Sequence, residues 1–345
     1  MLNKVIAEAN IEKAKKIIDK VDKIVIVTHI SHDGDAMGSS LAMSHFLTQI
    51  GKLVNVVIPN DYPGFLRWMP DAKNAIVEHW KQSLAIETIE NAELIFCMDF
   101  NALNRLGRMM KAVEESSAKK IMIDHHPSPD DFCHVTISHP EISSTSELVF
   151  RFICRMGLFE YIDKKCAECI YTGMMTDTGA FTYNSNSPAI YYIISELLGK
   201  GIDKDAIYSK VYNHYTESRM RLQGYTLYQK MKVFAEYNTA LISLSQEEQK
   251  QFQWKKGDTE GFVNLPLSIN DIKLSVFIRE EENIIRISFR SKGTFPCNEM
   301  AHAIFKGGGH LNASGGEFSG TLDEAIALFE NALPNYKHLL IENKN

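Results

Sequence analysis

The stretch KIVIVTHISHDGDAMGSSLAMSHFL, residues 23–47, decides the fold. It opens with KIVIV, whose run of β-branched residues predicts a buried strand over 23–27. Polar residues follow immediately, and a helical pattern is predicted over 36–49. A strand, a polar loop and a helix in that order form the first half of a βαβ unit. In such a unit the loop lies at the carboxyl end of a parallel strand.

The same alternation continues through the first half of the chain and then changes. Further strands are predicted at 52–58, 93–98 and 119–123, and helices at 83–91, 103–117, 144–156 and 164–176. We therefore expect an α/β fold, with a doubly wound parallel sheet in a domain of residues 1–188. After a helical connector over 189–236, a smaller α+β domain is expected over 237–345, with strands at 239–244, 272–280 and 283–291 and helices at 297–305 and 321–333.

The composition is that of a folded protein that needs no disulfides. The 345 residues are 45% hydrophobic and 23% charged, which excludes disordered and collagen-like classes. The 37 basic and 43 acidic side chains give a net charge of -6, which argues against a surface that coats long duplex nucleic acid. A locally basic cleft for a short anionic ligand stays open as an alternative.

The six cysteines lack the spacing of a disulfide framework. The CxxC at Cys166 and Cys169 has no second pair or neighbouring histidine at zinc-finger spacing, so we interpret it as ordinary helix packing of reduced thiols. The N-terminal segment lacks the apolar core of a signal peptide, and no apolar run approaches the length of a membrane span. A cytoplasmic protein with no membrane contact is expected.

Acids and imidazoles stand at the ends of the predicted strands, where the ligand sites of open α/β sheets lie. Asp177, in TGMMTDTGAF, is expected in a glycine-flanked turn after a helix, facing the same edge. The residues expected to converge there from the strand ends are His29, Asp33, Asp35, Asp99, Asp124, His125 and His126.

Carboxylates and neutral imidazoles without cysteine suit Mn²⁺, Mg²⁺ or Fe²⁺. Carboxylates brought close together repel one another, and two divalent cations compensate that repulsion. The pattern therefore predicts a two-metal site, the kind that activates water for phosphoryl displacement. For any one of these residues alone, an ordinary helix cap or surface position is the alternative.

A second pattern lies near the C-terminus, in KGGGH at 306–310. The backbone N–H groups of Gly307, Gly308 and Gly309 can form an anion nest, with His310 as a further donor. The run lacks the GK[ST] ending of a Walker P-loop, and an ordinary turn is the alternative. Arginines that could pair with phosphate, each with a solvated surface position as the alternative, are Arg105 and Arg290.

Together these motifs resemble those of the DHH phosphoesterase superfamily, in its DHH/DHHA1 branch. The GGGH run and the strand RISFRS resemble the DHHA1 substrate-binding domain, so the resemblance spans nearly the whole chain. Within the branch the two-domain size is most similar to the NrnA-type nano-RNases, which also dephosphorylate 3'-phosphoadenosine 5'-phosphate (pAp). The residues that match the ordered DHH motifs are His29, Asp33 and Asp35, then Asp99, then Asp124, His125 and His126, then Asp177.

The resemblance implies a role for each matched residue. Asp124 would orient the imidazoles from behind, and His126 would contact the scissile phosphate as an acid or charge stabiliser. One Mn²⁺ would be held by His29 and Asp33, and the other by Asp35, His125 and Asp177, with Asp99 bridging the two ions. Arg290, Gly307, Gly308, Gly309 and His310 would grip a terminal phosphate or nucleotide.

Two positions depart from the family pattern. His32 stands where the family commonly has proline, which alters the rigidity of the loop and adds a donor near the metals. Lys306 stands where a fourth glycine is usual. Positive φ would cost a lysine on the order of 1 kcal/mol, so we expect Lys306 in an ordinary conformation, able to reach substrate phosphate.

The expected function is a Mn²⁺-dependent phosphoesterase, with Mg²⁺ or other divalent ions as alternatives. It would degrade short single-stranded RNA or dinucleotides to nucleoside 5'-monophosphates and convert pAp to AMP, and it could act as a homodimer. A cyclic di-AMP or pApA phosphodiesterase is the main alternative. A non-catalytic nucleotide-binding regulator is disfavoured because all six metal ligands are present. A type II pyrophosphatase is disfavoured by the GGGH run, and a RecJ-like exonuclease by the modest length and acidic balance.

Overall fold

The sheet of the N-terminal half consists of six strands, in a computed structural model that describes residues 4–213, 215–255 and 257–341. The strands are β1 Lys23–Thr28, β2 Leu53–Ile58, β3 Ile76–Val77, β4 Leu94–Met98, β5 Lys119–Asp124 and β6 Val135–Ser138. They lie in the order β3-β2-β1-β4-β5-β6, and every neighbouring pair is parallel. The strand order reverses beside β1, which is where ligand sites of such sheets lie.

Helices cover both faces of this sheet. Along β1, Ile24 and Ile26 pack into one apolar cluster, whereas Val25 and Val27 pack into another. The helices are α1 Glu8–Ile18, α2 Gly34–Gln49, α3 Gln82–Glu90, α4 Met110–Glu115, α5 Thr145–Arg155, α6 Lys164–Asp177, α7 Pro188–Gly199 and α8 Lys204–Tyr212. Residues of α2, α5 and α6 lie in the first cluster and residues of α3 and α4 in the second, which confirms the doubly wound arrangement.

The chain divides into two units, Met1–His214 and Tyr215–Asn345. The second unit has the helices α9 Glu217–Tyr225, α10 Gln246–Gln251, α11 Cys297–Phe305 and α12 Leu322–Leu340. Its strands are β7 Met231–Phe234, β8 Thr239–Leu244, β9 Leu274–Glu280, β10 Ile285–Ser291, β11 Gly308–His310 and β12 Ala313–Phe318. They form one sheet in the order β11-β12-β10-β9-β8-β7, in which only the β8–β9 pair is parallel among the described strands. This confirms the smaller α+β fold.

The strands predicted in the first unit are all present, each within one residue of its predicted bounds. The pattern missed β3 and β6 because edge strands of two and four residues give too short a signal. It missed β11 and β12 because glycine replaces the apolar alternation there. The expectation of an entirely helical connector was wrong at its end, where β7 begins directly after a helical stretch. The domain boundaries at 188 and 236 stay predictions.

Two local expectations were wrong. The helix predicted over 103–117 is a 3-10 helix, Leu103–Met109, followed by α4, because Gly107 at φ 57 and ψ -128 interrupts the helical backbone. Lys306 has φ 52 and ψ 29, a left-handed conformation. It ends α11, and its N–H donates to the carbonyl of His302. The need to end the helix there outweighs the preference of lysine for negative φ.

Among the described residues, none of the helices has both the length and the apolar character that crossing a bilayer requires.

Close contact between α2 and α6 depends on glycine. A Cβ at Gly38 would lie 2.8 Å from the Cys169 carbonyl oxygen and 2.9 Å from the Gly173 Cα. A Cβ at Gly34 would lie 2.3 Å from the Thr176 Oγ1. Because backbone lies on both sides of the Gly38 contact, neither helix can relieve a clash by turning a side chain.

We expect Gly38→Ala to lower the free energy of unfolding by about 1–3 kcal/mol, because it forces α2 away from α6. Gly199→Ala is the matched control, since Gly199 ends α7 with nothing within 4 Å of its would-be Cβ. The control should leave stability unchanged or raise it by about 0.5 kcal/mol. Denaturant unfolding of both variants measures the difference, and equal stabilities would contradict the packing argument.

Candidate metal centre

The acids and imidazoles predicted at the strand ends lie together at the carboxyl edge of the parallel sheet. In two groups of these residues that share no member, the ligand atoms lie within 4.8 Å of one another. One group contains His29, Asp33 and Asp99; the other contains Asp35, His125 and Asp177. Asp177 is the last residue of α6, so the expectation that it lies in a turn beyond a helix was wrong by one residue.

Asp99 connects the two groups. Its Oδ2 lies 3.5 Å from the Nε2 of His29, and its Oδ1 lies 3.7 Å from the Nε2 of His125. The Nε2 of His125 also lies 3.6 Å from the Oδ2 of Asp177. One carboxylate therefore presents an oxygen to each group.

The two imidazoles are oriented by backbone carbonyls. The Nδ1 of His29 lies 2.7 Å from the Ile30 carbonyl oxygen, and the Nδ1 of His125 lies 3.2 Å from that of Ile142. A carbonyl oxygen only accepts hydrogen bonds, so Nδ1 is the donor in each ring. Nε2 of each ring therefore faces the acids, and its lone pair can bind a metal ion when the ring loses its proton.

The N-terminus of α5 faces two of the carboxylates. The backbone N–H groups of Thr145 and Ser146 donate to the two oxygens of Asp35, at 2.7 and 2.9 Å. The Thr145 hydroxyl donates to the Oδ1 of Asp99 at 2.8 Å. Free N–H groups and the helix dipole stabilise negative charge at this position. Asp33 is the N-cap residue of α2, and its carboxylate accepts hydrogen bonds from the N–H groups of Asp35 and Ala36.

Asp124 and His126 form a pair beside the two groups. The Nδ1 of His126 lies 2.8 Å from the Oδ1 of Asp124 and 3.9 Å from the Oδ1 of Asp99. The Oδ2 of Asp124 is buried with no hydrogen-bond partner among the described residues. His126 packs edge-on against His125, with ring centroids 5.0 Å apart.

The electrostatics of the site shift the pKa values of two of its buried acids, Asp35 and Asp99, in opposite directions. Burial, together with the charges of Asp99 and Asp177, raises the pKa of Asp35 well above its usual range. Burial acts on Asp99 in the same direction, but the hydrogen bond with His29 and the charges of His126 and His125 hold its pKa well below the usual range. Burial lowers the pKa of His125, yet Asp177, Asp99 and Asp35 outweigh that effect and raise it to about 9.

These residues fit divalent cations. The groups offer carboxylate oxygens and imidazole Nε2 atoms without thiolate, a set that suits Mn²⁺, Mg²⁺ or Fe²⁺. Asp124 adds a buried oxygen without a donor, so the site is rich in acceptors. Bound cations would offset both the burial and the charges of Asp99 and Asp177 that raise the pKa of Asp35.

Two further residues border the site. Arg105 is half-buried; burial and the charge of Arg105 lower the pKa of His29, but the hydrogen bond and charge of Asp99 outweigh them and raise it. The Arg105 carbonyl oxygen accepts from the N–H of Ile30 at 2.7 Å. His32, the departure from the family pattern, is buried with its Nδ1 3.3 Å from the His29 carbonyl oxygen. It therefore supports the backbone of a candidate ligand.

The remaining predicted residues lie in the second unit. Arg290 lies on β10, and one of its Nη1 protons bonds the Phe289 carbonyl oxygen at 2.9 Å. Gly309 has φ 140 and pairs with Ser314, while a Cβ at Gly307 would lie 1.9 Å from the Gly315 carbonyl oxygen. Glycine is thus required where β11 meets β12. The β11 strand consists of Gly308, Gly309 and His310.

All six cysteines are free thiols. Burial raises the pKa of Cys166 and of Cys169, which pack on α6 inside the core. No cysteine joins a candidate metal group among the described residues.

Sequence reasoning missed the contribution of α5. The helix was predicted from residue 144, but its first turn was not connected with the acids. Ser144 caps it by accepting from the N–H of Glu147, and the run SSTSE at 143–147 is a recognisable N-terminal signal. That signal locates a helix N-terminus, but not the carboxylates it faces.

A parallel sheet with acids and imidazoles at its carboxyl edge defines an α/β protein of the class that binds metal ions at that edge. The chain belongs to the DHH family: the model of the DHH family, N-terminal domain, matches residues 23–174. The DHHA1 domain matches residues 232–335. Both matches confirm the family expected from the ordered motifs.

The chain is similar to several known proteins. It is 28% identical to the bifunctional oligoribonuclease and PAP phosphatase NrnA of Thermus thermophilus, over 88% of this chain and 86% of that protein. It is 26% identical to the protein of the same name from Bacillus subtilis, over 87% and 90%. The crystal structure of an exopolyphosphatase-related protein from Bacteroides fragilis is 60% identical, covers 99% of this chain and 100% of that chain, and has a TM-score of 0.96.

We expect His125 to titrate near pH 9 when the protein is free of divalent ions, because the charges of the surrounding acids outweigh the effect of burial on its pKa. The protonated ring stabilises the folded state fully below its ordinary pKa of 6.5, and this stabilisation is lost as pH rises through about 9. Asp177→Asn should lower the midpoint. Histidine NMR in a chelating buffer measures it, with His134 as the internal control because burial and Lys119 lower its pKa. A midpoint for His125 at or below that of His134 would contradict this account.

Proposed function

We propose that the protein is a phosphoesterase that degrades short oligoribonucleotides to nucleoside 5'-monophosphates and converts pAp to AMP. The observation that carries the proposal is Asp99, whose two oxygens face His29 on one side and His125 on the other. Two relatives named for oligoribonuclease and PAP phosphatase activity, matched over most of their length, support the choice of substrates.

The proposed ligands form two sets that share Asp99. Divalent ions, Mn²⁺ in the first instance, would supply charge neutralisation and activation of the attacking water when bound. The sharing of Asp99 is supported by its contacts with both imidazoles. His29 and Asp33 are assigned to one ion, and Asp35, His125 and Asp177 to the other.

Both proposed reactions break the same bond. Removing a 5'-monophosphate from RNA and removing the 3'-phosphate from pAp each separate phosphorus from a ribose O3'. The leaving oxygen needs a proton or a positive charge in both cases. We assign that role to His126, whose Nδ1 is held by Asp124 at 2.8 Å, so that the ring orientation is fixed and Nε2 is turned away from Asp124.

The remaining phosphates need partners away from the reacting bond. Arg105 is proposed to pair with a substrate phosphate in the N-terminal unit, supported by the hydrogen bond that its carbonyl oxygen accepts from Ile30, the residue after His29. In the second unit, a terminal phosphate is assigned to Arg290, Gly307, Gly308, Gly309 and His310. Lys306 keeps an exposed side chain after α11, although its backbone is left-handed. Homodimerisation, exclusion of long duplexes and a cytoplasmic location stay predictions.

Asp99→Asn should reduce turnover of a 5'-labelled dinucleotide in excess Mn²⁺ by about a hundredfold or more, because the amide offers each group a weaker ligand. Asp22→Asn is the matched control, since that side chain is 84% exposed. Metal analysis of both proteins accompanies the assay. Near-normal turnover by Asp99→Asn would rule out the shared carboxylate.

A substrate panel separates the proposed function from its alternatives. We expect turnover of dinucleotides, pentanucleotides and pAp, and little turnover of duplex RNA, cyclic di-AMP or inorganic polyphosphate. Polyphosphate is included because a protein 60% identical to this chain is described as exopolyphosphatase-related. Product time courses on one preparation provide the comparison. If cyclic di-AMP or polyphosphate were turned over in preference, the proposed substrates would be wrong, but the proposed metal site would not be contradicted.

A further inference from the structure

Thr145 contacts one carboxylate from each candidate metal group. It is the first residue of α5 and is fully buried. Its backbone N–H donates to the Oδ2 of Asp35 at 2.7 Å, and its hydroxyl donates to the Oδ1 of Asp99 at 2.8 Å. A single residue therefore bonds an acid of each group, through its backbone N–H and its side-chain hydroxyl.

The first turn of α5 holds Thr145 in place. The side chain of Ser144 caps the helix, accepting from the N–H of Glu147 at 3.0 Å. Glu147 is itself buried, and its carboxylate accepts from Arg151 Nε at 2.8 Å and from the Ser143 hydroxyl at 2.6 Å. A buried, hydrogen-bonded ion pair of this kind resists displacement. Thr145 is thus a rigid support for both acids.

We propose that Thr145 is a positioning residue for metal binding: its hydroxyl sets the orientation of the shared carboxylate Asp99 relative to Asp35. The proposal rests on the metal site of the proposed function. The donated proton engages Asp99 Oδ1 and leaves Oδ2 directed at His29. Without it, Asp99 can turn away from Asp35, whose charge repels it, and bound cations would have to order the carboxylate again.

Three variants isolate the hydroxyl. Thr145→Val replaces it by a methyl group of similar size and keeps the backbone N–H that bonds Asp35. Thr145→Ser restores the hydroxyl. Thr172→Val is the matched control, because the Thr172 hydroxyl is also buried but donates within its own helix, to the Glu168 carbonyl oxygen at 2.7 Å. All three are made in the full chain.

The measurement is calorimetric titration of Mn²⁺ into each metal-free protein, so it does not depend on which substrate is cleaved. We expect Thr145→Val to weaken Mn²⁺ binding about 10- to 100-fold, with Thr145→Ser and Thr172→Val close to the unmodified protein. If circular dichroism shows that Thr145→Val does not fold, Thr145→Cys replaces it, because the thiol is a weaker donor in nearly the same space.

The outcomes separate this proposal from the function it rests on. Weaker Mn²⁺ binding by Thr145→Val alone supports the positioning role. Unchanged binding by Thr145→Val, or equal weakening by Thr172→Val, overturns it while the metal site stands. Absence of Mn²⁺ binding by the unmodified protein overturns the metal site, and the role of Thr145 with it.

Discussion

Repulsion between buried carboxylates is the constraint on which the N-terminal unit depends. Asp35 and Asp99 are both buried, and the charge of Asp99 adds to burial in raising the pKa of Asp35. The two acids have different partners. Asp99 contacts the imidazoles of His29 and His125 and accepts a hydrogen bond from the Thr145 hydroxyl, whereas Asp35 accepts hydrogen bonds from backbone N–H groups of α5. The pKa of Asp99 consequently lies below its usual range and that of Asp35 above it. Bound cations complete a neutralisation that the fold leaves partial.

Glycine makes this arrangement sterically possible. A Cβ at Gly173 would lie 1.9 Å from the Ser146 Oγ and 2.8 Å from the Asp35 Oδ1. Asp35, on α2, therefore lies directly over the backbone of α6, while α5 closes the space from a third direction. The same close approach brings the end of α6, and with it Asp177, to the acids. The packing of α2, α5 and α6 therefore also determines where the proposed ligands lie in this unit.

The sequence predicted the part of the site that follows from strand order. Acids after β1, β4 and β5 had to meet, because parallel strands share a carboxyl edge. The contacts of Thr145 with Asp35 and Asp99 could not be predicted, since they depend on how α5 packs in the folded protein and not on the spacing of motifs. Lys306 was mispredicted for a related reason: propensity is local, whereas the end of α11 is set by its packing. Nothing in the composition indicated either.

The backbone of Asp99 has a conformation that its local preference disfavours. Its φ of 63 lies in the left-handed region, which costs a residue other than glycine on the order of 1 kcal/mol. Its N–H bonds the Ile123 carbonyl oxygen of β5, and its carboxylate bonds Thr145. Hydrogen bonds of its backbone N–H and of its carboxylate thus hold Asp99 in the left-handed conformation. Aspartate adopts this conformation more readily than most residues, since its side chain is short and polar. An acid at this strand end is therefore favoured by the turn as well as by the charge it supplies.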